Sequence, residues 1–296
     1  TGSAVTPDVV LQYGEDTLKK DVDYTVSYTN NQHTGTGNAI ITGKGIFSGT
    51  VTVPFGIGVA INETTFPDEN FRTYVKEKFD TTPDDILTVS ELEQVIEIDV
   101  SSKKISDLTG VEYFTALKKL YCGGNNLTEL DVRQNTALDG LYCSYNNLTA
   151  LDVRQNTALQ ELECFNNNLT ALDLSQNTAL AWLNCSDNRY SIDLIGGTFD
   201  LSTLPEGFDL SKASNWTNAT VDGNTLTVTN LKTDVTYTYD LGNGETATFT
   251  LRPTSCTLTE SMVKEIPEQV YTGSAVTPDV VLQYGEDTLK KDVDYT

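Results

Sequence analysis

Basic residues are scarce in this chain. Nineteen lysines and arginines stand against 42 aspartates and glutamates, a formal net charge of −23. A field of that sign repels nucleic acid and anionic lipid and argues against both as partners. Long apolar runs are missing too. The longest, around Phe55 to Ile61, is far too short to span a bilayer, so no membrane insertion is expected. Histidine occurs once, at His33, in a turn with no candidate nucleophile nearby. Neither a phosphate loop nor a Ser/His/Asp arrangement is present, so no catalytic residues are assigned. The five cysteines show no CxxC or CxxH spacing, which speaks against a zinc site. Free thiols without a disulfide framework suit a reducing or anaerobic setting. No signal peptide is visible, which in a piece of a longer chain says nothing about secretion.

Repetition is what the sequence has in abundance. Residues 1–25 and 272–296 are identical, 271 positions apart. Chance does not produce such a match, and the simplest account is a tandem array of near-identical units. A second, shorter period lies inside. LKKLYCGGNNLTELDVRQNTA, LDGLYCSYNNLTALDVRQNTA and LQELECFNNNLTALDLSQNTA follow one another at 21-residue spacing. A fourth copy starts at Leu180 and then loses the pattern, and a degenerate one, VIEIDVSSKKI, starts at Val95. Each reads LxxLxLxxNxL with cysteine in the third apolar slot, which is the signature of a leucine-rich repeat.

The columns of the repeat predict its physics. Leu120, Leu141, Leu162 and Leu183 point inward from stacked parallel strands about 4.8 Å apart. Cys122, Cys143, Cys164 and Cys185 form the next inward column, as small buried apolar groups. Asn125, Asn146, Asn167 and Asn188 form a ladder that bonds backbone groups at the turn out of each strand. On the return leg Asn135, Asn156 and Asn177 read as N-caps of a short helical turn. A single coil cannot bury its own apolar face, so the stack needs caps at both ends.

Ahead of the repeats, Phe71, Tyr74, Val75 and Phe79 recur at helical spacing, and Ser90 with Glu93 marks the start of a second helix. The loop between them resembles a degenerate EF-hand, with Asp80 first, Asp84 fifth, Leu87 eighth and Glu91 twelfth. Thr82 stands at the third position and Asp85 where the loop wants glycine. Asp80, Asp84 and Glu91 are the candidate calcium ligands, set against the plainer reading of a helical cap. No other cofactor is indicated. After the repeats, TLTVTN and DVTYTYDLGNGETATFTLR read as strands, the latter a hairpin turning at Gly242, Asn243 and Gly244, with Trp216 the apolar anchor.

The run DYTVSYTNN…GTGNAIITGKGIFSGTVTVPF resembles a short immunoglobulin-like module of surface proteins from Gram-positive, often gut-dwelling, bacteria. In that family a stretch like SCTLTESMVKEIPEQVYTG forms the opening strand, and here it occupies residues 255–273. The helix pair, the 21-residue repeats and the β segment after them are similar to internalin-like surface proteins. The fold expected is therefore mainly β. A leucine-rich-repeat solenoid of about five coils (95–190) lies between a helical N-terminal cap (59–94) and a β C-terminal cap (191–253). Immunoglobulin-like β-sandwich modules flank it, one at 1–58 lacking its first strand and the first part of the next at 254–296. The bare edge at 1–58 invites strand exchange with the 256–271 segment of a neighbouring molecule.

Outward positions of the repeat strands carry Glu97 and Asp99, then Lys119 and Tyr121, then Tyr142 and Tyr145. The last two coils add Glu161, Glu163 and Phe165, then Trp182, Asn184 and Asp187. Exposed aromatics on strands mark a contact patch, although aromatics also stabilise strands by cross-strand packing. The ligand-binding residues expected are Tyr121, Tyr142, Tyr145, Glu161, Glu163, Phe165, Trp182, Asn184 and Asp187. A protein partner would use the aromatics as anchors and the acids for steering, whereas a glycan would stack on Trp182 or Tyr142. Glu161 and Glu163 mimic a glycosidase pair in spacing only. The expectation is a non-catalytic, extracellular adhesin fragment whose tandem copies add avidity. Its rivals are a structural stalk and a glycan-binding module attached to an enzyme elsewhere in the parent chain.

Overall fold

The alternating run GTGNAIITG forms the middle strand (Gly35–Gly43) of a three-stranded antiparallel sheet, between Tyr24–Thr29 and Thr50–Ile57. This is seen in a computed structural model that describes residues 3–270, 274–284, 287–291 and 294. Part of the expected opening strand (271–273) and part of the second copy of residues 1–25 lie outside the described residues. The chain divides into two units. The first comprises Thr1–Asn126 and Asp131–Leu141, the second Leu127–Leu130 and Tyr142–Thr296.

In the first unit, Ala39 and Ile41 are buried on one face of the sheet, as period-two alternation requires. The irregular segment before it is held by tyrosine hydroxyls: Tyr24 donates to the Val9 carbonyl at 2.7 Å and Tyr28 to that of Pro7 at 2.5 Å. Gly37 leaves room for Phe55, since a Cβ there would lie 2.6 Å from the ring. Next comes the helix Glu69–Phe79, capped by Asp68, whose Oδ1 accepts from the Asn70 amide at 2.9 Å and the Phe71 amide at 3.1 Å. Its fully buried Phe71 and Val75 face inward, and the Phe66 and Phe71 rings meet edge-on at 5.7 Å.

The second helix, Val89–Gln94, starts earlier than Ser90 and Glu93 suggested. Thr88 is the N-cap and Glu91 completes a capping box, so the acid expected at the twelfth loop position serves the helix instead. The strands Glu97–Asp99 and Lys119–Tyr121 then pair in parallel, with Ile98 and Leu120 fully buried between them. Each such leucine-sized side chain contributes about 1.5–3 kcal/mol by leaving water.

Five three-residue strands mark the coils, and the last four start at residues 119, 140, 161 and 182. In the second unit Glu161–Glu163 pairs in parallel with Trp182–Asn184, placing Leu162 opposite Leu183. The turn asparagines act as the column predicts. The Asn167 Oδ1 accepts from the Leu148 amide at 3.0 Å, and its Nδ2 donates to the carbonyls of Cys143 at 3.1 Å and Cys164 at 3.2 Å. Asn188 repeats this with Leu169, Cys164 and Cys185.

The return-leg asparagines differ from expectation. They cap no helix; the legs are plain turns at these coils. Instead the amide of Asn177 reaches back one coil, where its Nδ2 donates to the carbonyls of Val153 and Asn156, both at 2.9 Å. In the first unit Asn135 does the same to Val111 and Phe114. An amide nitrogen can satisfy two carbonyls of the neighbouring coil, and full burial makes that use more valuable than a cap.

A seven-stranded sheet follows the repeats in the second unit, with Ala213–Thr217 at one edge and Ala219–Asp222 at the other. Its longest strands, Val235–Gly242 and Glu245–Thr257, form a hairpin. Both residues of the two-residue turn, Asn243 (φ 54) and Gly244 (φ 80), are left-handed, as tight hairpins require. The buried centre is Tyr237, Tyr239 and Phe249. Trp216 lies on the edge strand, half-buried and stacked on Tyr237 at 4.5 Å, so it covers this centre rather than anchoring it. The bonds that tie the sheet to the repeats include Tyr237 Oη to the Thr170 carbonyl at 2.6 Å, the Leu174 amide to the Leu241 carbonyl at 2.7 Å, Asn243 Nδ2 to the Leu174 carbonyl at 2.5 Å, and the Thr250 amide to the Asn188 carbonyl at 3.2 Å.

Candidate binding face

Side chains on a strand alternate, so burying Leu162 and Cys164 forces Glu161, Glu163 and Phe165 outward. The same alternation turns out Tyr142, Trp182 and Asn184. Trp182 sits directly across from Glu161, and Asn184 from Glu163. The Tyr142 hydroxyl donates to the Glu161 carboxylate. Tyr145 and Phe165 meet edge to face at 4.9 Å and 75°. Asn184 turns its Oδ1 onto its own loop, accepting from the Ser186 hydroxyl at 2.9 Å. The Glu163 carboxylate makes no hydrogen bond or ion pair among the described residues. Eight of the nine predicted residues thus belong to the second unit. Tyr121 belongs to the first, where it is half-buried and paired with Asp99.

One position on this face has a backbone cost. Tyr145, Asn166 and Asp187 occupy equivalent turn positions, all left-handed, at φ 56, 52 and 54. In the first unit the equivalents are Ser102 (φ 56) and Gly124 (φ 69). Glycine, asparagine and aspartate accept this conformation readily, whereas a bulky residue is strained by about 1–2 kcal/mol. Tyr145 is nevertheless 60% exposed, so its ring is not held there by burial. The same column brings in Asn166, which no sequence motif marks. Its 21-residue step from Tyr145 was the available signal.

The inward cysteines are buried thiols. Burial pushes the Cys143 thiol up to about 12 and Cys185 to about 11, and raises Cys164 as well. Thiols held protonated in this way pack and do not react.

The loop at residues 80–91 does not gather its three acids. Glu91 Oε1 accepts from Thr81 Oγ1 at 2.5 Å and the Thr81 amide at 2.8 Å, while Oε2 accepts from the Thr88 amide at 2.8 Å and Thr88 Oγ1 at 2.9 Å. These bonds, that from the Thr81 hydroxyl foremost, hold its carboxyl down at about 2. Asp84 accepts from the Ile86 amide at 3.0 Å, and Asp80 from the Asp85 amide at 3.2 Å. Asp85 is left-handed, at φ 61, and pairs with the Lys76 ammonium. Among the described residues no group of three or more His, Cys, Asp or Glu side chains is placed to hold a metal ion.

Internalin J of Listeria monocytogenes serotype 4b (strain F2365) is 39% identical to this chain over 70 residues. Over that stretch the chain is internalin-like. The match covers 24% of this chain and only 8% of the relative, so most of that protein has no counterpart here. A solved functional domain of InlJ from Listeria monocytogenes, described as including a cysteine ladder, is 41% identical. It aligns over 47% of this chain and 31% of its own, with a TM-score of 0.42. The internalin InlF of Listeria monocytogenes strain 4b F2365 aligns over 47% and 52% at 23% identity, with a TM-score of 0.37. No family model matches the chain. Among the described residues, no helix is long and apolar enough to cross a membrane.

Proposed function

We propose that this chain is a non-catalytic binding segment of a bacterial cell-surface protein. The repeat face around Tyr142, Tyr145, Phe165 and Trp182 holds an extracellular protein ligand, and tandem copies strengthen weak single-site binding. The observation that carries the reading is Tyr145, an aromatic kept exposed at a backbone position that disfavours it. Strain of this kind collects where function requires a particular side chain. Trp182, 45% exposed, adds a second anchor in the same unit. Glu163 and Asp187 place negative charge beside them for a basic partner. In this reading the sheet at residues 24–57 and the partial module after residue 254 are immunoglobulin-like spacers. Strand exchange through the incomplete module belongs to the same reading.

The rival is a stalk in which the coils only add length. It draws support from the contacts within the patch, since Tyr142 with Glu161 and Tyr145 with Phe165 satisfy one another. A clustered, multivalent form of the chain, screened on extracellular-matrix proteins and on glycans, separates the two. An adhesin binds a protein and loses it with Tyr142→Ala plus Trp182→Ala. A stalk binds nothing with or without the substitutions, and a glycan-only hit would replace the protein ligand.

A further inference from the structure

Identity between residues 1–25 and 272–296 places one local structure in two surroundings. Locally the copies agree. Tyr13 pairs with Asp16 and Tyr284 with Asp287, in the same two-strand register. The Leu18 amide donates to the Leu11 carbonyl at 2.9 Å, and Leu289 to Leu282 at 2.9 Å. The Lys19 amide meets Asp23 Oδ2 at 2.8 Å, and Lys290 meets Asp294 Oδ2 at 2.8 Å.

Their exposure differs sharply. Tyr13 is 71% exposed and touches Phe47 edge-on at 6.0 Å, whereas Tyr284 is 9% exposed. The Tyr284 hydroxyl donates to the carbonyls of Val228 and Gly197, on the seven-stranded sheet and the turn beside it. Gly197 makes this seat possible twice over. It holds φ at 84, and a Cβ there would lie 2.0 Å from the Tyr284 ring. Lys232 reaches Asp294 at 3.4 Å. The equivalent Asp23 accepts from the Lys19 amide and has no cationic partner among the described residues.

We propose that the face carrying Tyr13 and Asp23 is a docking surface for a second copy of this chain. In a tandem array it seats on the preceding unit's sheet, with Tyr13 on the counterparts of Gly197 and Val228 and Asp23 toward that of Lys232. Successive units then meet at a fixed joint rather than a flexible tether, and the spacing of binding faces along the array is set. The inference rests on the tandem reading but not on what the repeat face binds.

The test is to extend the chain after Thr296 with a second copy of residues 26–58, which gives Tyr284 a complete module with its own equivalent of Phe47. Tetranitromethane nitration is then compared at the two tyrosines. Trypsin separates them, because Tyr13 falls in Thr1–Lys19 and Tyr284 in Glu265–Lys290, where fragment-ion sequencing tells it from Tyr271. The joint predicts that Tyr284 reacts about tenfold more slowly than Tyr13 in both the original and the extended chain. It also predicts that Tyr284→Phe, which keeps the ring and loses both hydroxyl bonds, speeds nitration of the second unit's other tyrosines while Tyr13→Phe does not. Equal reactivity of Tyr13 and Tyr284 in the extended chain would overturn the proposal. Protection of Tyr284 together with silence in the ligand screen would leave the joint standing and remove the adhesin.

Discussion

Replacing Tyr145 separates strain from contact. Asparagine is the residue the next coil uses at the equivalent position, Asn166, at φ 52. Tyr145→Asn should recover about 1 kcal/mol of left-handed strain, because asparagine tolerates that region. It forfeits the edge contact to Phe165, about 0.5–1.5 kcal/mol, at a residue already 60% exposed. The two nearly cancel, so Tyr145→Asn should lie within about 1 kcal/mol of the parent. Tyr145→Ala loses the same contact and relieves less of the strain. It should be less stable than Tyr145→Asn by about 1 kcal/mol, or about 2–4 °C in the transition of the second unit. Calorimetry on the three proteins, with each unit's transition fitted separately, reads this directly. If Tyr145→Asn proved less stable than Tyr145→Ala, the backbone would hold no such strain and the chief support for a functional Tyr145 would go with it.

Asn167→Ala should cost about 2–4 kcal/mol, since it strands the Leu148 amide and two carbonyls in a dry interior, and chemical denaturation will show it. A thiol reagent at pH 8 should find the half-exposed Cys256 readily and the four buried cysteines only after unfolding; rapid labelling of Cys143 or Cys185 would contradict the packed column. Glu91 titrates near 2 when folded against 4.5 ordinarily, so its contribution is full above about pH 4.5 and is lost as pH falls through 2. A pH-dependent melt of the first unit should decline over that window, and Glu91→Gln should flatten the decline.

How much of this was legible in the sequence depends on the range of the interaction. The columns of Leu162, Cys164 and Asn167 could be read because each coil repeats the same local demand, and stacking turns a 21-residue period into contact. The outward residues followed from strand alternation alone. The use made of Asn177 could not be read, because an asparagine before a turn fits a cap equally well until the neighbouring carbonyls are placed. Glu91 was hidden for a similar reason: its spacing from Asp80 suits a loop ligand, and its spacing from Thr88 suits a capping box. Only the folded loop shows which use prevails. The strain at Tyr145 had a sequence signal, a tyrosine in a column otherwise filled by Ser, Gly, Asn and Asp, but its meaning needs the φ of the folded turn.

The most direct measurement is the ligand screen of the multivalent chain beside its Tyr142→Ala plus Trp182→Ala form, with unchanged melting of both proteins confirmed first. The account predicts attachment to an extracellular protein that the double substitution abolishes. Attachment that survives both substitutions would put the site elsewhere and contradict the assignment of this face.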